Sequence, residues 1–182
     1  QLPPVWLSYG PDDAYTMGLD GVAYDLDLRD LEQVSLETTE HVRVYMKSDI
    51  LRYCDLIDMP GISDPSMSPE VWERMAHLAD GVMWCTHATQ AWRQSESGVW
   101  NGFPQDMRRN SLLLITRFDK ILGDGDKAKV LKRVTQEVDG LFAEVFPVSL
   151  LQAMKAGDDL DKWIGSGADA FTSALFDMVH RL

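Results

Sequence analysis

One stretch of the sequence, YCDLIDMPGISD at residues 53–64, places a carboxylate at the end of an apolar run. The run ends on Asp58, and the chain reaches Gly61 through a Pro-Gly pair. A carboxylate at a strand end can hold Mg²⁺, usually through water, and a following glycine lets the backbone approach a phosphate oxygen. These residues suit a metal and phosphate site, and they also suit an ordinary strand that ends at an ordinary turn.

A second stretch, LLLITRFDK at residues 112–120, ends in Thr116, Arg117 and Asp119. The carboxylate of Asp119 could accept two N–H groups from one edge of a flat base, the charge-assisted pairing that distinguishes guanine from adenine. The aliphatic part of Arg117 could cover the face of that base. In the simpler alternative, Asp119 caps a turn and Thr116 is only a β-branched strand residue.

The elements that must position these residues follow from the order of apolar and polar runs. From residue 42 onward, strands and helices alternate, and the last three strands are apolar throughout, which is typical of strands covered on both faces. The pattern predicts an α/β fold: a doubly wound, mostly parallel sheet with helices on both faces. An antiparallel hairpin is predicted before it, at residues 14–27. Ligands of such sheets bind at the carboxyl ends of the strands.

The predicted strands span residues 5–10, 42–48, 53–58, 81–88, 111–119 and 144–150. The predicted helical segments span residues 28–34 (a short turn), 68–80, 90–103, 126–142 and 168–182, with Ser68 as the N-cap of the second.

Composition limits the class of protein. The 182 residues, 45% of them hydrophobic, are enough for one domain with a full core. The 29 acidic residues against 17 lysines and arginines argue against a nucleic-acid partner and against binding of this segment alone to anionic membranes. Cys54 and Cys85 lie in apolar stretches without C-x-x-C spacing, so we expect reduced core residues of a cytosolic protein. The four histidines lack ligand spacing, and we assign no metal site to them.

Three motifs in this order resemble those of GTPases, in particular of bacterial dynamin-like proteins. DLIDMPGI resembles the D-x-x-G motif in its D-x-P-G form, and LLLITRFDK resembles the [NT]-K-x-D motif with Arg117 in place of the usual lysine. FPVSLLQA resembles the last and weaker motif, with Leu150 in place of alanine. The stretch ADGVMWCTHATQAWRQSE also looks like part of a bacterial dynamin-like protein. The resemblance covers residues 5–182, nearly the whole chain.

The resemblance implies binding of GTP or GDP with Mg²⁺, and GTP hydrolysis. Asp58 would order Mg²⁺ through water, the Gly61 amide would meet the γ-phosphate, and residues 62–67 would form the second switch. Asp119 would select guanine. The other nucleotide-binding residues that the resemblance implies are Thr116 as a loop brace, Arg117 over the base, Lys120, Ser149 and Leu150. Ser149 also suits a simple N-cap of the helix-like LLQAMKA.

The largest departure of the sequence from the family is that it contains no G-x-x-x-x-G-K-[ST] phosphate loop. In the family this loop and the switch I threonine precede the strand that VWLSYG matches. We therefore expect a single GTPase-like domain over residues 1–182 that is N-terminally incomplete and inactive by itself. The resemblance also implies a homodimer across the nucleotide face, membrane contact through parts outside this chain, and a cytoplasmic location that could be peripheral at the inner membrane face.

Two alternatives stay open. A GTPase-like fold could serve as a non-hydrolysing interaction or assembly module. A haloacid dehalogenase-like phosphatase would use Asp25 of VAYDLDL as its nucleophile and the acidic stretch GDDLD at residues 157–161. Against the phosphatase, GDDLD follows a helix-like run, and Asp25 falls on what looks like the polar arm of a hairpin.

Overall fold

The computed structural model describes residues 2–61 and 69–181, without the side chains of residues 69, 70, 73 and 74. The chain forms two compact units, residues 1–79 and 80–182. The α/β class with an N-terminal antiparallel hairpin is confirmed, and the predicted single domain stays a prediction. Ser68 and residues 62–67 lie outside the described residues.

The first unit is built on a five-stranded sheet with the strand order β3-β2-β4-β1-β5. Its strands are β1 (Val5–Tyr9), β2 (Asp13–Gly18), β3 (Ala23–Asp25), β4 (Thr39–Met46) and β5 (Leu56–Asp58), and its helix is α1 (Pro69–Ala76). β2 and β3 form the predicted hairpin, β1 is parallel to β4, and β5 is antiparallel to β1. Asp25 is the last residue of β3, an exposed edge strand, so it does not occupy the central strand that a phosphatase nucleophile would need.

β4 divides its side chains between two faces, as its period-two pattern predicts. Val42 and Val44 are buried with Ala14, and half-buried apolar side chains of the same unit pack against them. On the other face, the guanidinium of Arg43 lies 4.0 Å from the centroid of the Trp6 ring and 3.0 Å from the Asp55 carboxylate. The first unit therefore has an apolar core on one face of its sheet and a charged, aromatic cluster on the other.

His41 makes the stability of the first unit depend on pH. The half-buried ring lies 5.6 Å from Trp6, and burial lowers its pKa below the ordinary 6.5, with Glu40 raising it and Arg43 lowering it further. The unfolded chain then binds more protons than the folded chain, so this stabilisation is present above pH 6.5 and is lost as the pH falls through the native pKa.

We expect the free energy of unfolding to fall between about pH 7.5 and about pH 5, and the variant His41→Gln to show a shallower fall. Urea denaturation of the chain at a series of pH values checks this. Equal slopes in the variant and the wild type would contradict the role of His41.

The second unit is built on a parallel sheet with the strand order β6-β7-β8. Its strands are β6 (Met83–His87), β7 (Leu112–Thr116) and β8 (Glu144–Pro147). Its helices are α2 (Gln94–Trp100), α3 (Gln105–Arg109), α4 (Asp124–Glu137), α5 (Leu150–Ala156), α6 (Leu160–Gly165) and α7 (Ala168–Arg181). The predicted strand–helix alternation is present here, and α3 and α6 are helices that the pattern did not predict.

The second unit has its core along β7, where residues 112–115 are buried. An aromatic cluster packs beside it, consisting of Trp84, Trp92, Trp100, Phe103 and Phe142. Trp100 is fully buried and stacks on Phe142 with 4.2 Å between ring centroids. Aromatic packing of this kind fixes the position of α2 beside the sheet.

The structure differs from the predicted elements in two respects. α4 ends at Glu137 and not at residue 142, because Gly140 adopts a positive φ of 71° and Phe142 packs into the aromatic cluster instead. The prediction of Cys85 as a core residue is wrong. β6 lies at the edge of its sheet, and its Trp84 and Thr86 side chains are buried whereas Cys85 is exposed. Cys54 is half-buried. Neither cysteine forms a disulfide.

Candidate nucleotide site

Two of the three predicted motifs meet at the carboxyl ends of β7 and β8. Asp119 lies in the turn Phe118–Lys120 (the Asp119 turn), which follows β7, and Ser149 follows β8. The hydroxyl of Ser149 donates a hydrogen bond to Oδ1 of Asp119 over 2.7 Å. Because β7 and β8 are parallel neighbours, their ends lie side by side, where α/β sheets bind ligands.

The Asp119 carboxylate is held in its charged form. The hydrogen bond from Ser149 lowers the pKa of Asp119 below its ordinary value. Burial opposes this shift, and the positive charges of Lys120 and Arg117 add smaller lowering effects. An ionised carboxylate can only accept hydrogen bonds, and it does so with both oxygens. This group therefore suits the N–H edge of a base, which offers donors only.

The hydroxyl of Ser149 makes two hydrogen bonds. Besides donating to Asp119, its buried hydroxyl accepts a hydrogen bond from the Gln152 amide over 3.4 Å and so caps α5. Leu150 is the first residue of α5, and amides in the first turn of a helix have no partner within the helix. Leu150 thus directly follows Ser149, whose hydroxyl bonds to Asp119.

Arg117 and Lys120 flank Asp119 as exposed cations. Arg117 has a left-handed backbone with φ 54°, and its carbonyl accepts a hydrogen bond from the Lys120 amide over 3.0 Å. A non-glycine residue in this conformation costs about 1–3 kcal/mol, and such residues cluster at functional sites. The turn therefore carries strain next to the acid that would recognise a base.

Thr116 connects the end of β7 to β6. Its hydroxyl donates to the carbonyl of Thr86 over 3.1 Å, which suits the role of a loop brace. Thr86 in turn donates its own hydroxyl to the buried carboxylate of Glu96 over 3.0 Å. Sequence reasoning missed Thr86 and Glu96; the available signal was an acid three residues after the N-cap position of α2, which is typical of a capping box.

Asp58 and Gly61 belong to the first unit. Asp58 is the exposed last residue of β5, and it borders a cavity of about 230 Å³. The cavity is lined by Leu2, Pro3, Val5, Asp58, Met59, Pro60 and Gly61. A Cβ atom added at Gly61 would meet no described atom within 4 Å, so the described residues do not require a glycine there.

Among the described residues, no group of three or more His, Cys, Asp or Glu side chains is arranged to hold a metal ion. A single carboxylate fits Mg²⁺ nonetheless, because Mg²⁺ is usually held by one or two carboxylates together with waters and substrate phosphates. Within the same described ranges, no helix is both long and apolar enough to cross a membrane.

Solved structures with the same fold come from bacterial dynamins. Two chains from structures described as an oligomerised bacterial dynamin pair, with a mechanism for long-range sensing and tethering of membranes, match 97% of this chain with TM-scores of 0.76 and 0.74. Each is 15% identical in sequence, and the chain spans 39% and 33% of their lengths. No protein-family model matches the chain, and no curated protein is significantly similar to it. The chain therefore shares the fold of one part of these bacterial dynamins.

Proposed function

We propose that this chain is the guanine-nucleotide-binding part of a dynamin-like GTPase, which hydrolyses GTP as the full-length protein. The observation that carries the proposal is the hydrogen bond between Ser149 and Asp119 at the ends of two parallel strands. This bond brings the Asp119 carboxylate next to the start of α5, at the carboxyl ends of β7 and β8. Sheets of this type bind their ligands at the carboxyl ends of the strands. The resemblance of the motifs supports guanine as the base.

The proposed roles follow the resemblance of the motifs. Asp119 accepts the N–H edge of guanine, Arg117 covers the base, and Thr116 braces the turn. Lys120, Ser149 and Leu150 border the nucleotide. Asp58 orders Mg²⁺ through water, and the Gly61 amide meets the γ-phosphate. Bound Mg²⁺ would neutralise charge on the phosphate oxygens. Catalysis of phosphoryl transfer is mostly positioning and charge stabilisation, so these residues act by holding the nucleotide.

The full-length protein is proposed to self-assemble, with a homodimer across the nucleotide face, and to remodel membranes from the cytoplasm. The description of the structurally similar dynamin pair as oligomerised and membrane-tethering supports this proposal. Membrane contact would require parts of the protein outside this chain. The net charge of −12 gives no support to a nucleic-acid partner.

Steady-state GTP turnover by the full-length protein tests the enzymatic proposal. We expect hydrolysis that depends on Mg²⁺, and we expect Asp58→Ala to raise the Mg²⁺ concentration for half-maximal rate about tenfold, as loss of an outer-shell ligand does. Asp49→Ala is the matched control, because Asp49 is an exposed acid of the same unit that lies away from the cavity lining.

Two outcomes would contradict the proposal in different ways. GTP binding without turnover would favour the non-hydrolysing assembly module. Turnover with an unchanged Mg²⁺ requirement in Asp58→Ala would refute the role of Asp58 while leaving the GTPase assignment in place.

A further inference from the structure

Two turns of the second unit hold strained residues, and these turns lie against each other. Among the residues that the structure describes, Trp92 with φ 57° and Arg117 with φ 54° are the two non-glycine residues with positive φ. Trp92 belongs to the loop at residues 88–93 (the brace loop), whose first turn contacts the Asp119 turn. Strained residues persist only where the surrounding structure holds them in place. The brace loop must therefore be anchored.

Glu96 is the polar anchor of the brace loop. Its side chain is only 5% exposed, and its Oε2 accepts hydrogen bonds from the Thr86 hydroxyl over 3.0 Å and from the Arg93 amide over 2.7 Å. The same Thr86 hydroxyl accepts a hydrogen bond from the Trp92 amide over 2.9 Å. A buried carboxylate is costly unless it is hydrogen-bonded, so these three bonds fix a single geometry for the loop.

Thr86 connects this anchor to the Asp119 turn. While its hydroxyl holds the brace loop, its carbonyl accepts the hydrogen bond from Thr116, which directly precedes the strained Arg117. On the other side of the loop, Arg133 donates to the Ala91 carbonyl over 3.0 Å. Thr86 thus contacts the brace loop through its hydroxyl and the residue before the Asp119 turn through its carbonyl, while the first turn of the brace loop lies against the Asp119 turn.

We propose that Glu96 is a positioning residue for guanine recognition. It holds the brace loop in the strained conformation against which the Asp119 turn is ordered, and its effect reaches Asp119 through Thr86 and Thr116. The proposal rests on the proposed function, because base recognition by Asp119 is part of that function. Nothing in the motif resemblance assigns a role to Glu96, which lies on α2 outside the three motifs.

Hydrogen exchange of the chain tests the positioning role without any nucleotide. In Glu96→Ala, we expect three amides to exchange at least about tenfold faster because the turn has lost its support. These are the Lys120 and Ile121 amides, whose hydrogen bonds close the turn, and the Phe118 amide, which bonds to the Val148 carbonyl. Glu96→Gln should exchange like the wild type, since one amide oxygen can accept both bonds. Amides of α7 report whether the whole unit has been destabilised.

Two further variants complete the exchange test. Thr86→Val removes the hydroxyl that bonds to Glu96 and should also show the faster exchange. It serves as the test variant if Glu96→Ala does not fold. Glu144→Ala removes an exposed acid at the start of β8, away from Ser149, and should leave exchange unchanged.

Base selectivity of the full-length protein tests the consequence for recognition. Inosine lacks the exocyclic amine of guanine, so the ratio of the Kd for IDP to the Kd for GDP reports the contact with Asp119. We expect this ratio to fall about tenfold in Glu96→Ala and to stay unchanged in Glu96→Gln and Glu144→Ala.

Unchanged exchange in the Asp119 turn of a folded Glu96→Ala or Thr86→Val would overturn the proposal. An unchanged ratio of the two Kd values in Glu96→Ala would equally overturn its functional half. Failure of the wild-type protein to bind GDP would instead refute the proposed function, and the exchange result would still decide whether Glu96 positions the turn.

Discussion

Replacing Asp119 by asparagine in the full-length protein is expected to lower the affinity for GDP at least about 100-fold and to favour xanthosine diphosphate. The carboxylate is charged and offers acceptors only, and its two hydrogen bonds to guanine would each contribute about 1.5–3 kcal/mol. An asparagine amide presents a donor, which matches the carbonyl that xanthine carries in place of the guanine amine. Equilibrium titration of both nucleotides with the variant and the wild type measures the change.

Asp139→Asn is the control for this substitution, because Asp139 is an exposed acid of the same unit that follows α4. It should bind both nucleotides like the wild type. The asparagine at position 119 can still accept the hydrogen bond from Ser149 through its amide oxygen, so the loop geometry should persist. The same base preference in Asp119→Asn and wild-type protein would refute the guanine assignment.

Gly167→Ala is expected to destabilise the second unit by about 3 kcal/mol. Gly167 has a φ of 81°, which L-residues rarely adopt, and an added Cβ would lie 2.1 Å from the Pro147 carbonyl oxygen. Backbone atoms at the end of β8 would have to shift, and left-handed strain adds to this overpacking. Urea denaturation, followed by tryptophan fluorescence, measures the change in the free energy of unfolding.

Gly140→Ala separates the two causes, since Gly140 also has a positive φ of 71° but a Cβ there would meet no described atom within 4 Å. That variant should lose only about 1–2 kcal/mol from conformational strain. Equal losses at the two positions would show that the contact with Pro147 is unimportant. We also expect Gly167→Ala to weaken nucleotide binding. Its Cβ would displace the Pro147 backbone, which lies two residues before Ser149, and the Ser149 amide bonds to the carbonyl of Ser166, the neighbour of Gly167.

The meeting of Asp119 and Ser149 could be predicted because parallel strands bring their carboxyl ends together. Asp119 and Ser149 each follow a strand of the same parallel sheet, so they are neighbours although 30 residues separate them in the chain. The N-cap role of Ser149 was predictable for a similar reason, since capping depends on residues only three positions away. Local spacing and strand order were sufficient for this half of the candidate site.

The brace loop could not be predicted, because its geometry depends on tertiary contacts. Glu96 lies in the polar run QSESG, which is typical of an exposed helix surface, and its burial arises only when Thr86 and the Arg93 amide converge on it. The left-handed backbone of Arg117 has no glycine or asparagine to signal it. Both features require the surrounding fold to hold them, so composition and periodicity carry no trace of them.

The end of α4 and the exposure of Cys85 show how packing overrides pattern. The position of Phe142 fits the helical periodicity of α4, yet α4 ends before it. Packing Phe142 against Trp100 stabilises the unit more than one further helical turn through Gly140 would. Cys85 lies in an apolar run, yet only the face of β6 that carries Trp84 and Thr86 is buried, and Cys85 lies on the other face. Apolar runs alone do not tell an edge strand from a central one.

A crystal structure of the full-length protein with GDP tests whether the ends of β7 and β8 bind guanine. We expect N1 and the exocyclic amine of guanine to lie about 2.7–3.2 Å from the carboxylate oxygens of Asp119. We also expect the hydrogen bond from Ser149 to Asp119 to be retained. A base bound elsewhere, or bound here with its N–H edge turned away from Asp119, would refute guanine recognition by Asp119.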